Sequence, residues 1–150
     1  IILANGKGKV FWARRVGQDA WQFPQGGISE NETPEEAMYR ELYEEVGLYP
    51  QDVEVIASTD HWFRYRLPGR YLGQKNINCI GQKQKWFLMN FKGDDSEVNI
   101  HTDHPEFEEW KWSSPEEIIR EAIFFKKDIY SDVLAEFEIY WYETIKCIRI

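Results

Sequence analysis

The sequence predicts one domain of mixed helix and strand, either an α+β protein or a mixed-sheet α/β sandwich. Three observations point there. Short runs rich in β-branched and aromatic residues recur between turn residues along most of the chain. Two segments carry complete helix-start punctuation. Helices do not follow strands in the regular alternation of a doubly wound parallel sheet. The 150 residues suit one core, and an apolar share of 43% with 16% aromatics is ample material to fill it.

The elements follow in order. The chain opens on Ile1-Ile2-Leu3-Ala4-Asn5-Gly6, without methionine and in what reads as the middle of a strand. A few upstream residues are therefore expected to be missing, and no signal peptide is expected. Val10 to Ala13 reads as a short strand after the turn Asn5-Gly6-Lys7-Gly8. Trp21-Gln22-Phe23 is extended and stopped by Pro24 and Gly26-Gly27. The first helix starts at Thr33, a good N-cap, with Pro34 at the first helical position and Glu36 completing a capping box. Gly47 ends it, and Met38, Leu42 and Val46 form its apolar stripe. Asp52 to Thr59 reads as a strand. Positions 60–79 read as a long irregular connection rich in aromatics and arginine, of the kind that is often functional. Ile80 to Phe91 reads as the strongest strand. Alternation along it puts Gln82, Gln84 and Trp86 on one face and Lys83, Lys85 and Phe87 on the other. A turn at Gly93-Asp94-Asp95 leads to short strands at Glu97–Ile100 and Glu109–Trp112. Ser114-Pro115-Glu116-Glu117 repeats the capping box and starts a second helix. A third runs from about Asp128 with Ile129, Val133, Phe137 and Trp141 on one face.

Charge and cysteines exclude several function classes. The formal charge of −8 argues against wide, non-specific coating of nucleic acid, which needs a basic footprint. An enzyme that grips one anionic end remains compatible with small basic groups such as Arg14-Arg15 and Lys126-Lys127. No apolar run reaches the roughly 18 residues of a membrane span. Cys79 and Cys147 lie far apart without metal-type spacing, which suits free thiols in a reducing cytoplasm. His61, His101 and His104 show no ligand spacing either. Most of the seven tryptophans are expected in the core or on strands, with Trp62 the one placed at a substrate edge.

The chemical signal is Arg40-Glu41-Leu42-Tyr43-Glu44-Glu45-Val46-Gly47. Helical residues three and four apart share a face, so Glu41, Glu44 and Glu45 project within an arc of roughly 100°. Three like charges so close repel unless a cation neutralises them, and carboxylate oxygens suit hard ions such as Mg²⁺ or Mn²⁺. Taken alone, such a run is more often an acidic solvated helix face. The flanking spacing decides between them. Gly26, five residues, Glu32, seven residues, Arg40-Glu41-Leu42, one residue, Glu44-Glu45, one residue, Gly47-Leu48 is similar to the Nudix box at every fixed position.

That resemblance implies an α/β/α sandwich with a mixed central sheet and the box as a loop-helix-loop. It implies hydrolysis of a phosphoanhydride in a nucleotide-type substrate. Position by position, Glu41, Glu44 and Glu45 would bind Mg²⁺ or Mn²⁺, two or more ions with substrate present, and the Gly26 carbonyl would add a ligand. Glu32 and Arg40 would hold the box together by a salt bridge. Outside the box, Trp21 to Gly27, Gly81 to Phe87, Pro105-Glu106-Phe107 and Phe125 to Tyr130 resemble one subgroup. It contains the bacterial RNA pyrophosphohydrolases and the dinucleoside polyphosphate hydrolases. The subgroup places a further metal-binding or base-type carboxylate at Glu106, so Glu44 and Glu106 are the candidate general bases. Arg15, Tyr65, Gln82, Lys85, Phe125 and Lys126 are the candidate substrate contacts. Arg15 and Phe125 are expected to sandwich a base, with Lys126 at the rim of that clamp. The expected reaction is conversion of a 5′-triphosphate or diphosphate RNA end to a monophosphate. Asymmetric hydrolysis of diadenosine tetra- or pentaphosphate is the alternative. A cytoplasmic monomer is expected.

Overall fold

The computed structural model describes residues 1–71 and 80–146, without the side chains of Tyr71 and of positions 141–146. Cys79, Cys147 and the side chain of Trp141 lie outside the described residues. A six-stranded mixed sheet is the frame. It is built from β1 (Ile2–Ala4), β2 (Val10–Arg15), β3 (Trp21–Gln22), β4 (Val53–Ser58), β7 (Phe87–Phe91) and β8 (Phe107–Ser113). The order is β3-β2-β1-β7-β4, with β8 on the other edge of β2. β1 runs parallel to β7, with Ile2 opposite Leu88, and the other pairs are antiparallel. Among the described residues three α-helices accompany it: α1 (Pro34–Val46), α2 (Pro115–Glu121) and α3 (Lys127–Lys146). The expected mixed sheet between helices is present. Among the described residues no helix is long and apolar enough to cross a membrane.

Side-chain alternation along the strands creates two cores. Leu3, Phe11, Ala13, Met89, Phe91 and Phe107 pack with Met38, Leu42 and Val46 of α1. Ile2, Ala4, Val10, Trp12 and Leu88 pack on the opposite face with Ile118 of α2 and Ile129, Tyr130, Val133 and Phe137 of α3. The box helix therefore stands on one face of the sheet, and its apolar stripe is what fixes it there. The cap punctuation is realised at both predicted starts: Thr33 and Ser114 each accept from the N3 backbone while Glu36 and Glu117 bond back.

Three stretches differ from the sequence expectation. Positions 60–79 are not simply irregular: β5 (Phe63–Arg66) and a 3₁₀ turn at Gly69–Tyr71 lie within them. The single strand expected from Ile80 to Phe91 is two. β6 (Gly81–Gln84) pairs with β5 in a separate two-stranded ribbon, and β7 joins the main sheet. The break falls at Lys85-Trp86. Trp86 is captured by Thr59, whose hydroxyl accepts from its N–H at 3.0 Å and whose own N–H donates to its carbonyl at 2.9 Å. The alternation of Gln82, Gln84 and Trp86 on one face consequently stops at the ribbon's end. No strand forms at Glu97–Ile100. Asp94 caps a 3₁₀ turn at Asp95–Glu97, and the Asn99 N–H closes the end of α1 by donating to Val46 at 2.8 Å.

Candidate active site

The glutamates sit on α1 at three different depths. Glu45 is buried, Glu41 is nearly so, and Glu44 keeps 53% of its side chain exposed. The loop before α1 is drawn in beside them. The Gln25 N–H donates to Glu45 Oε2 at 3.0 Å. Gly26 lies so close to Glu41 that an added Cβ would come within 1.8 Å of its carboxylate. Only glycine leaves that carboxylate its place.

Arg40 organises the loop. Its guanidinium donates to both oxygens of Glu32, at 2.7 and 2.9 Å, and to the Gly27 carbonyl at 2.7 Å. The expected Glu32–Arg40 pair is thus present, and Arg40 holds Glu32 well below the usual carboxylate range, at about 2. The same guanidinium also reaches Glu41 at 2.6 Å and Glu44 at 3.2 Å. Two of the box carboxylates are thereby drawn toward Arg40. As they stand, no three Asp, Glu, His or Cys side chains among the described residues converge tightly enough to cage an ion.

The electrostatics nonetheless favour a cation. Burial pushes Glu45 up to about 8. The Gln25 N–H opposes this, while the neighbouring Glu41 and Glu106 carboxylates add to it. Burial likewise raises Glu41. Carboxylates held in this way ionise readily only beside positive charge. The donor set of carboxylate and carbonyl oxygens, with the cradle left by Gly26, fits a hard divalent ion.

Glu106 reaches this centre by a local irregularity in the β2–β8 ladder. Arg14 pairs with Glu109 and Arg15 with Phe107, so Glu108 is an extra residue. Such a bulge redirects side chains. Arg14 turns to Glu108 and Glu109, while Arg15 grips Glu106 at 2.9 Å. Glu106 is then close enough to Glu45 for the two charges to be felt.

Lys126 does not lie at the rim. It is buried in the 3₁₀ turn before α3 and donates to Gln22 Oε1 of β3 at 3.1 Å. Burial lowers it to about 8; Arg15 pushes it the same way, and Glu106 and Glu45 oppose. The sequence reading missed Gln22 and Gln25 as supports, because their partners come from distant segments. Phe125 lies against Tyr65, ring centres 6.3 Å apart and nearly parallel, and the Tyr65 hydroxyl donates to Gln82 at 2.7 Å. Arg15, Lys126 and Glu106 are therefore brought to the Glu45 side of the centre. Gln82 and Lys85 instead line a cavity on the Glu41 side.

Three comparisons bear on this site. The family model described as "NUDIX domain" matches residues 1–133. Curated relatives named RNA pyrophosphohydrolase include one from Pseudoalteromonas translucida (strain TAC 125), 53% identical over 91% of this chain and 81% of its own length. Another, from Histophilus somni (strain 2336), is 50% identical over 96% of this chain and 76% of its own length. Among solved structures, an E. coli dihydroneopterin triphosphate pyrophosphohydrolase superposes with a TM-score of 0.73 at 15% identity, covering 90% of this chain and 92% of that one. A C. elegans Ap4A hydrolase complex gives 0.64 at 18% identity, covering 91% and 95%. The last two likenesses concern the fold alone.

Proposed function

The chain belongs to the NUDIX domain family, and from that premise we propose that it is an RNA pyrophosphohydrolase acting on 5′-triphosphate or diphosphate RNA ends. The product is a 5′-monophosphate end, with pyrophosphate or successive orthophosphates released by water attack on a phosphoanhydride. The observation that carries this reading is Glu45, buried within electrostatic reach of Glu41 and Glu106, with Lys126 in turn within reach of Glu45, Glu106 and Arg15. Such a centre accepts a cation and an anion together. The relatives named RNA pyrophosphohydrolase, at about half identity over most of the chain, support RNA as the substrate.

In this proposal Glu41, Glu44, Glu45, Glu106 and the Gly26 carbonyl hold Mg²⁺ or Mn²⁺, two or more ions with substrate bound. When bound, such ions neutralise the phosphates and acidify a water. Glu44 and Glu106 are the two candidates we assign to take the proton of the attacking water. Arg15 and Lys126 bind phosphate oxygens, and Phe125 offers a stacking face for the first bases. Tyr65 and Gln82 position that face, Lys85 adds charge on the Glu41 side, and Glu32 with Arg40 shapes the loop. A single domain acting as a cytoplasmic monomer in mRNA decay completes the reading.

The test is release of pyrophosphate or orthophosphate from triphosphorylated RNA with Mg²⁺ present. We expect that release, with monophosphate RNA left behind. No release, together with fast turnover of diadenosine polyphosphates, would overturn it.

A further inference from the structure

Lys126 belongs to the turn ahead of α3, a helix that packs on the face of the sheet opposite the box helix. Its side chain nevertheless ends among the groups of the box, where the charges of Glu45 and Glu106 both act on it. Gln22 is what receives it there. Gln22 stands opposite Ala13 of β2, so it shares the face that Ala13 presents to α1. β3 is the edge of the sheet, and at that edge Lys126 Nζ donates to Gln22 Oε1 at 3.1 Å. Both residues are buried. The carboxamide has no choice of orientation, because an ammonium only donates.

The partner is not the one that burial would select. A buried lysine is ordinarily paired with a carboxylate. The arginines around the box follow that rule. Arg15 grips Glu106, Arg14 holds Glu108 and Glu109, and Arg40 holds Glu32, Glu41 and Glu44. Lys126 forms no ion pair among the described residues, and Gln22 is its one hydrogen-bond acceptor there. An amide oxygen fixes the ammonium without cancelling its charge. An ammonium carries three donors, so others remain for a ligand.

We propose that Gln22 is a positioning residue, whose neutral carboxamide holds the Lys126 ammonium in place for a substrate phosphate and leaves its charge unspent. The inference rests on the reading of Lys126 as a contact for substrate phosphate. A carboxylate in place of Gln22 would take up that charge. It would also add an anion near Glu45 and Glu106, where burial already disfavours carboxylates.

The test titrates a triphosphorylated RNA dinucleotide with methylene-bridged phosphates, in Mg²⁺, by calorimetry. Melting temperatures check that each variant is folded. Gln22→Met, of similar size, should lower affinity about tenfold, the scale of one hydrogen bond to a charged group. Gln22→Glu restores an acceptor for Lys126 and yet should lower affinity at least as much. On triphosphorylated RNA both losses should appear in KM, with kcat little changed. In a Lys126→Met background, Gln22→Met should cost no further affinity, because its effect runs through the ammonium. Full affinity in either Gln22 variant, or a further loss from Gln22→Met in that background, would overturn the proposal and leave the reading of Lys126 standing. Unchanged affinity in Lys126→Met alone would overturn that reading and this role with it.

Discussion

Glu45 brings a carboxylate into the interior, and its neighbours Glu41 and Glu106 share its sign. A residue kept there against its burial cost is kept for something it binds. Glu45→Gln should therefore raise the melting temperature of the metal-free protein by a few degrees while lowering turnover at least a hundredfold. Calorimetry and phosphate release read the two effects, and a fall in both would make the side chain structural. Lys126 gives a second prediction. Its folded-state pKa, about 8, lies below the usual value of 10.5. The unfolded chain binds its proton more tightly, so this residue makes the protein less stable as pH falls from about 10.5 through 8. Lys126→Met should remove that part of the pH dependence and raise stability at pH 7, yet weaken substrate binding. Circular dichroism melts across that range test it. Glu41, Glu44 and Glu45 were singled out by helical periodicity together with the box spacing around them, because the run alone also fits a solvated acidic face. The burial of Lys126 was not legible, since it depends on Gln22, 104 positions earlier.

Helix α1 was legible end to end because its signals are local. Thr33 and Glu36 exchange side-chain bonds, and Gly47 adopts φ 75°, a left-handed conformation that favours glycine. Thr33→Ala should cost about 1 kcal/mol and lower the melting temperature by roughly 2–4 °C, with kcat little changed. Gly47→Ala should cost more, because a Cβ there would also come within 2.8 Å of the Asn99 carbonyl. Urea unfolding of the two variants decides the order, and an equal loss would remove the role assigned to the left-handed end. Strands were less legible. Nothing within Ile80 to Phe91 announces a break, because the break is imposed by Thr59 from another element. Likewise the bulge that delivers Glu106 is a property of two strands in register and of neither alone.

The whole molecule carries an excess of acidic residues, a formal charge of −8, with Arg15 and Lys126 as cations on one side of the box and Lys85 on the other. Association with RNA should then depend only mildly on salt. With about three phosphates neutralised, log kcat/KM against log salt should have a slope of roughly −2. A much steeper slope would reveal a wider nucleic-acid footprint. Removing divalent metal with EDTA should abolish turnover, and restoring Mg²⁺ should raise the melting temperature by mass action. Glu45→Gln should erase that rise. The ribbon of β5 and β6 stands outside the main sheet, while the box helix is anchored on it. In the proposed reading, what is cut and what is admitted are decided by separate pieces of chain. Exchanging the ribbon for another of the same length would retune the appetite of the enzyme and leave its blade untouched.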